Sequence, residues 1–295
     1  MAKSKGVVGI IGLGIMGGSF ARNLVKSGWR VVGYDISPAR RKELSQAGVK
    51  IADGIPELAA AVPVIITSLP KPEALAAVAH AIADAKLPKK IIAECSTFTI
   101  EDKEGAEAVL RKSGHTLLDC PVSGTGSQAR TGDLVIYASG DTKAIARLKP
   151  MFAGYSRKTY DVGTFGNGSK MKYVANLLVA INNVATAEAM VLGMKAGLDP
   201  QVIFEMIQNG AGNSRVFELR APMMAASEYL PATMKIDIWQ KDMDVIGRFA
   251  TELGVPVPTF SATVPIYAAA QAQGLGPEDT AAVCAVLERM AAVER

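Results

Sequence analysis

Gly12, Gly14 and Gly17 occupy the first, third and sixth places of a six-residue turn completed by Leu13, Ile15 and Met16. The apolar run Val7–Ile11 leads into it and a helix-forming stretch follows. In that setting each glycine has its own task. Gly12 permits the tight turn, Gly14 lets the backbone approach a pyrophosphate, and Gly17 lets the helix pack close to the strand. The helix N-terminus adds unpaired N–H groups and a partial positive charge suited to phosphates. Asp35 lies 18 residues past Gly17, at the end of the next apolar run. A carboxylate there accepts hydrogen bonds from both ribose hydroxyls of a dinucleotide and repels a 2′-phosphate, so NAD is preferred. Arg40 and Arg41 follow closely enough to meet a 2′-phosphate, which keeps NADP open. A flavin would need a second binding segment, and none is found.

These residues need a scaffold that holds strand ends in a row. Up to about residue 165, short apolar runs alternate with helical stretches. Strands are expected at 7–11, 30–34, 64–69, 90–94, 116–119 and 134–138. Helices are expected at 17–27, 39–47, 73–85, 100–113 and 143–152. Nearly continuous apolar strands in a β-α-β rhythm predict a doubly wound parallel sheet of Rossmann type, covered on both faces. Residues 164–168 form a turn-rich hinge. Beyond it the pattern is helical only, at 169–197, 200–209, 222–226, 234–254, 261–274 and from 277 onward. The fold class is therefore α/β followed by an all-helical C-terminal domain. The expected division is a dinucleotide-binding domain at 1–165 and a substrate and oligomerisation domain at 166–295.

Composition narrows the function. Of the 295 residues, 49% are hydrophobic and 20% charged, which supplies ample core. The net charge of +4 is scattered, so no nucleic-acid partner is expected. Cys95, Cys120 and Cys284 have no metal spacing and are odd in number, so no metal and a reducing, cytoplasmic location are expected. The apolar stretch 173–197 carries Asn176, Asn182, Asn183, Glu188 and Lys195 and is read as a buried helix, not a membrane span. His80 and His115 are expected at the surface, which removes a histidine acid/base mechanism. The regions around Ser68 and Ser96 show no nucleophile elbow, so hydrolysis has no support.

Four ordered segments resemble the β-hydroxyacid dehydrogenases. They are the glycine turn; Asp119-Cys120-Pro121-Val122-Ser123-Gly124-Thr125, similar to a D-x-P-V-S-G-G loop; Gly166-Asn167-Gly168-Ser169-Lys170-Met171-Lys172-Tyr173-Val174-Ala175-Asn176, similar to G-x-G-x-x-x-K-x-x-N-N; and the pair Lys241-Asp242. The resemblance implies that Lys172 is the catalytic acid/base, with Asn176 beside it. Residues four apart share a helix face, so the two can converge on one substrate atom. Removing the proton of an alcohol requires a lysine drawn below its usual value of about 10.4, by burial or a nearby positive charge. Lys170 lies about 200° around the helix from Lys172 and is read as the solvated one.

The resemblance also implies that Ser123, Gly124 and Thr125 hold a substrate carboxylate. Ser96 and Thr97 would meet the nicotinamide end of the cofactor, and Pro70 the adenosine-side ribose. Lys241 would reach substrate or cofactor, or is one more solvated helix lysine. Two departures stand out: Thr125 replaces the family's second Gly, and Ala175 its first Asn. Both bear on the substrate more than on the reaction type. The expected activity is hydride transfer between NAD or NADP and a small β-hydroxyacid, by a homodimer or homotetramer with no membrane association. The alternatives are an imine or ketone reductase of the same architecture, whose relatives generally lack the lysine, and a non-catalytic dinucleotide-binding protein.

Overall fold

Interior strand residues of the N-terminal sheet point alternately into two apolar layers, and its polar residues, Arg30, Lys50, Thr67, Glu94, Thr116 and Asp119, all stand at strand ends. The computed structural model describes residues 4–294. The chain runs β1 (Val7–Ile11), α1 (Ile15–Lys26), β2 (Arg30–Tyr34), α2 (Pro38–Gln46), β3 (Lys50–Ile51), α3 (Ile55–Ala61), β4 (Val64–Thr67), α4 (Pro72–Asp84), β5 (Ile91–Glu94), α5 (Ile100–Lys112) and β6 (Thr116–Asp119). These six strands are all parallel, in the order β3-β2-β1-β4-β5-β6. Ile10, Val31, Ile66 and Leu118 join one core with Phe20 and Leu24 of α1 and Leu44 of α2. Their neighbours Ile11, Val32, Ile65 and Leu117 join the other, with Leu58 of α3, Val78 of α4 and Leu110 of α5. A period of two thus feeds both faces of one sheet. The expected doubly wound sheet is borne out.

After β6 come β7 (Val122–Ser123), α6 (Gly126–Thr131), β8 (Val135–Ala138), α7 (Thr142–Phe152) and β9 (Lys158–Asp161). They build a small sheet, β7-β8-β9, in which β7 is antiparallel and β9 parallel to β8. Ala129 of α6 and Leu148 of α7 belong to the same core as α1.

The remainder is helical: α8 (Asn167–Lys195), α9 (Pro200–Ile207), α10 (Arg215–Ala226), α11 (Ile236–Glu252), α12 (Pro258–Ala272), a 3-10 turn at Thr280–Ala282 and α13 (Val283–Met290). Two compact units divide at Lys172 and Tyr173, inside α8. The sequence reading places the division near residue 165, at the hinge before that helix. By length and composition α8 could cross a membrane. Within it, buried Asn183 donates to the Tyr267 hydroxyl and the Thr280 carbonyl, both at 2.9 Å.

Two expectations are corrected. The helix read at 222–226 begins at Arg215, where the Ser214 hydroxyl accepts from the Phe217 N–H at 3.0 Å. Pro222 lies inside it, tolerated because Phe217, Ala221 and Met224 keep one buried face continuous across it. His115 is not at the surface but 4% exposed. A tight turn between α5 and β6 tucks it under the sheet, and its Nδ1 accepts from the Lys90 N–H at 3.1 Å. Burial, then the Lys90 charge, push its pKa down. It lies at the N-terminal ends of the strands, opposite the candidate site.

Candidate active site

The strand order reverses between β1 and β4, and ligands of such sheets bind outside the C-terminal strand ends at that point. The glycine turn follows β1, Asp35 follows β2, Ser68–Pro70 follow β4, and Ser96 and Thr97 follow β5. The three glycines differ in what they tolerate. Gly12 has φ +91°, and a Cβ there would stand 2.1 Å from the Ser68 carbonyl oxygen. A Cβ on Gly17 would stand 1.9 Å from the Gly12 oxygen. Both are demanded by the fold. Gly14 has an ordinary φ of −67° and nothing within 4 Å of its would-be Cβ. It borders a cavity of about 330 Å³ together with Leu13, Ile15, Arg22 and Arg40. It heads α1 with no side-chain cap and no acidic residue in the first turn. An open, uncapped helix N-terminus beside an open cavity fits a dinucleotide pyrophosphate.

Asp35 is half-buried and braces this turn. Its Oδ2 accepts from the Leu13 N–H at 2.7 Å and its Oδ1 from the Ser37 N–H at 2.8 Å. Each carboxylate oxygen has two lone pairs, so capacity for ribose hydroxyls remains. Arg40 pairs with Glu43 at 2.8 Å, and Glu43 with Arg22 at 2.7 Å. Arg41 donates to the Asp35 backbone oxygen at 2.9 Å.

The loops after β4 and β5 are tied together: the Ser96 hydroxyl accepts from the Leu69 N–H at 2.8 Å. Ser96 is buried, Thr97 half-buried and Pro70 exposed. The Ser123-Gly124-Thr125 loop leads from β7 into α6. Gln128 Oε1 accepts from the Thr125 N–H at 3.0 Å, and its Nε2 donates to Asp133 at 3.0 Å. The Thr125 hydroxyl bonds Ser127 at 2.7 Å. The N–H and hydroxyl of Thr125 are thus both bonded within the loop, and Ser123, Gly124 and Thr125 are all partly exposed. Gln128 does not appear in the sequence reading; its three-residue spacing from Thr125 at a helix start was the available signal.

Lys172, in the second turn of α8, is 8% exposed, whereas Lys170 is exposed. The second unit has its own polar cluster. Asn176 Nδ2 donates to Asp242 Oδ2 at 2.9 Å, and Lys241 Nζ pairs with Asp242 Oδ1 at 2.7 Å. Asp242 thus joins two of the expected site residues. It stands in the quoted pair with Lys241, but nothing in the spacing indicated that it would bond Asn176.

The sheet and its glycine turn define a dinucleotide-binding protein. A family model described as the NAD binding domain of 6-phosphogluconate dehydrogenase matches residues 7–163. Another, described as NAD-binding of NADP-dependent 3-hydroxyisobutyrate dehydrogenase, matches residues 166–287. L-threonate dehydrogenase of Cupriavidus necator is 31% identical over 94% of this chain and 94% of its own. 2-(Hydroxymethyl)glutarate dehydrogenase of Eubacterium barkeri is 30% identical over 97% and 96%. The crystal structure of 3-hydroxyisobutyrate dehydrogenase from Salmonella typhimurium superposes with TM-score 0.86 at 30% identity, covering 95% of this chain and 99% of that one. The chain belongs to the β-hydroxyacid dehydrogenase family. It is an oxidoreductase that uses NAD or NADP and transfers a hydride to or from a small β-hydroxyacid.

Proposed function

We propose that Lys172 is the general acid/base of this reaction, that Asn176 assists it, and that Ser123, Gly124 and Thr125 receive the substrate carboxylate. The carrying observation is the contrast between two lysines on one helix: Lys172 is withdrawn from solvent and Lys170 is not. A bound nicotinamide dinucleotide supplies or accepts the hydride. In the oxidation direction neutral Lys172 Nζ takes the hydroxyl proton. In reduction its ammonium returns a proton to the forming alkoxide. The relatives named for threonate, 2-(hydroxymethyl)glutarate and 3-hydroxyisobutyrate support a substrate with a carboxylate and a hydroxyl on the β-carbon. NAD is the preferred cofactor, supported by the Asp35 carboxylate standing at the end of β2 against the glycine turn and by Arg40 being paired with Glu43. Pro70, Ser96, Thr97 and Lys241 complete the cofactor and substrate contacts. The enzyme works in the cytoplasm as a homodimer or homotetramer, with a nucleotide-binding domain over residues 1–165 and a substrate and assembly domain over 166–295. The three cysteines, all free and buried, suit a reducing compartment.

The test is Lys172→Ala beside Lys170→Ala, assayed with NAD and NADP against a panel of β-hydroxyacids. Lys172→Ala is expected to lower kcat by about 10²–10⁴ at a dinucleotide Kd within a few fold of wild type. Lys170→Ala is expected to keep full turnover. Undiminished turnover in Lys172→Ala would remove that residue from the mechanism.

A further inference from the structure

A lysine and two carboxylates lie fully buried together beneath the strand ends. Lys103 of α5 pairs with Glu94 Oε2, at the end of β5, and with Asp119 Oδ1, at the end of β6, both at 2.7 Å. Burial alone would lower the Lys103 pKa, but Asp119 and Glu94 reverse that and hold it above its usual value, so it stays an ammonium. Such a cluster is a poor way to fill a core, because packed apolar residues of similar volume serve as well or better. Its hydrogen bonds lead elsewhere.

From Glu94 they run to the loops after β4 and β5. Glu94 Oε1 accepts from the Ser96 N–H at 2.8 Å, and the Ser96 hydroxyl accepts from the Leu69 N–H at 2.8 Å. From Asp119 they run to the first turn of α8. Oδ2 accepts from the Ser169 N–H at 2.7 Å and Oδ1 from the Ser169 hydroxyl at 2.9 Å. The Ser139 hydroxyl donates to Asp119 Oδ2 at 3.1 Å and accepts from the Gly168 N–H at 3.0 Å. Gly168 is held so close that a Cβ would stand 2.4 Å from the Tyr137 carbonyl oxygen. Lys172 is three residues beyond Ser169, on the same helix face.

We infer that Lys103 is a positioning residue that locks the start of the Lys172 helix to the loops after β4 and β5. One ammonium fixes both carboxylates, and each carboxylate fixes one side of the reacting centre. The inference rests on the reading of Lys172 as acid/base. A shift of about 1 Å in a reacting group can cost about 10²-fold in rate, so the lock acts on kcat rather than on binding.

The test compares Glu94→Gln/Lys103→Met, Ser169→Ala and Lys172→Ala by kcat across pH, dinucleotide titration and circular dichroism. The double variant removes the ammonium without leaving two facing carboxylates. Ser169→Ala removes one bond to Asp119 and leaves the charges in place. For the double variant we expect kcat down by about tenfold or more, and for Ser169→Ala by about threefold or more, with displaced pH profiles and dinucleotide Kd within about threefold. Folded variants with wild-type kcat and pH profile overturn the positioning role. If the double variant does not fold, Ser169→Ala decides by the same criteria. Lys172→Ala separates the two ideas. If it is active, the acid/base reading fails and the positioning role with it. If it is inactive while the other variants keep wild-type kcat, only the positioning role fails.

Discussion

The three glycines of the cofactor turn share a motif but not a reason. Gly12 and Gly17 stand where a side chain would enter backbone oxygens, and Gly14 stands over open space. The sequence pattern assigns these roles from general geometry, and the surroundings of each glycine separate them. Gly14→Ala is therefore expected to fold with unchanged or slightly raised thermal stability, since its φ suits alanine. Its dinucleotide affinity is expected to drop by about tenfold or more, the effect of one methyl group between backbone and phosphate. Gly17→Ala is expected to lose the fold itself. Thermal melts and dinucleotide titration of the two variants make the comparison. Equal loss of stability in both would mean that Gly14 serves the fold and not the ligand. Lys103 was harder to see. It reads as one charge in the run Glu101-Asp102-Lys103-Glu104, yet it shares the buried face of α5 with Ala106 and Leu110. That spacing of three and seven was the legible signal; its partners, on two other elements, were not.

Elements were legible where one pattern ran long enough. The strands read at 7–11, 30–34 and 116–119 coincide with β1, β2 and β6, because the interior of a buried parallel strand is apolar and its polar residues fall at the ends, as Arg30, Thr116 and Asp119 do. β3 and β7 have two residues each, too few to carry any period. β9 is mostly exposed and is defined by its register against β8, which no local pattern encodes. The helical unit hides a comparable long-range feature. The Asp279 carboxylate is buried against Arg220 and accepts from the N–H of Thr233 at 2.7 Å and of Ala281 at 3.1 Å. Burial alone would raise its pKa; Arg220 and these N–H groups outweigh burial and hold it below the usual carboxylate range. A carboxylate lowered in the folded state stabilises above its unfolded value and loses that contribution as pH falls through the folded one. Asp279→Asn is thus expected to cost about 3–5 kcal/mol at neutral pH, because Arg220 is left buried and unpaired. The gap to wild type should narrow as pH drops below about 4, in urea unfolding followed across pH. A constant gap would show that the charge of Asp279 is not what stabilises this region.

At the scale of the whole molecule, the helical unit leaves much apolar surface uncovered. Val174 and Leu178 of α8 are 52% and 54% exposed, and Leu192 is 73% exposed. Leu198, Val202 and Met206 continue this character on and before α9. Exposed apolar side chains in such number on two successive elements are expected to be covered by a second copy of the chain. Size-exclusion light scattering at micromolar concentration is expected to give a dimer or tetramer, and Leu178→Glu/Leu192→Glu to lower that mass. A wild-type mass of about 31 kDa, one chain, would contradict the assembly.

With the loop after β7 proposed to receive the substrate carboxylate, its internal bonds bear on how substrates are told apart. Gln128 and Ser127 already hold Thr125, and Asp133 already holds Gln128, before any ligand arrives. A segment stiffened in this way has little ordering entropy left to lose on association. Related hydroxyacids should then arrive at similar rates and leave at different ones, so discrimination among them resides in their residence times.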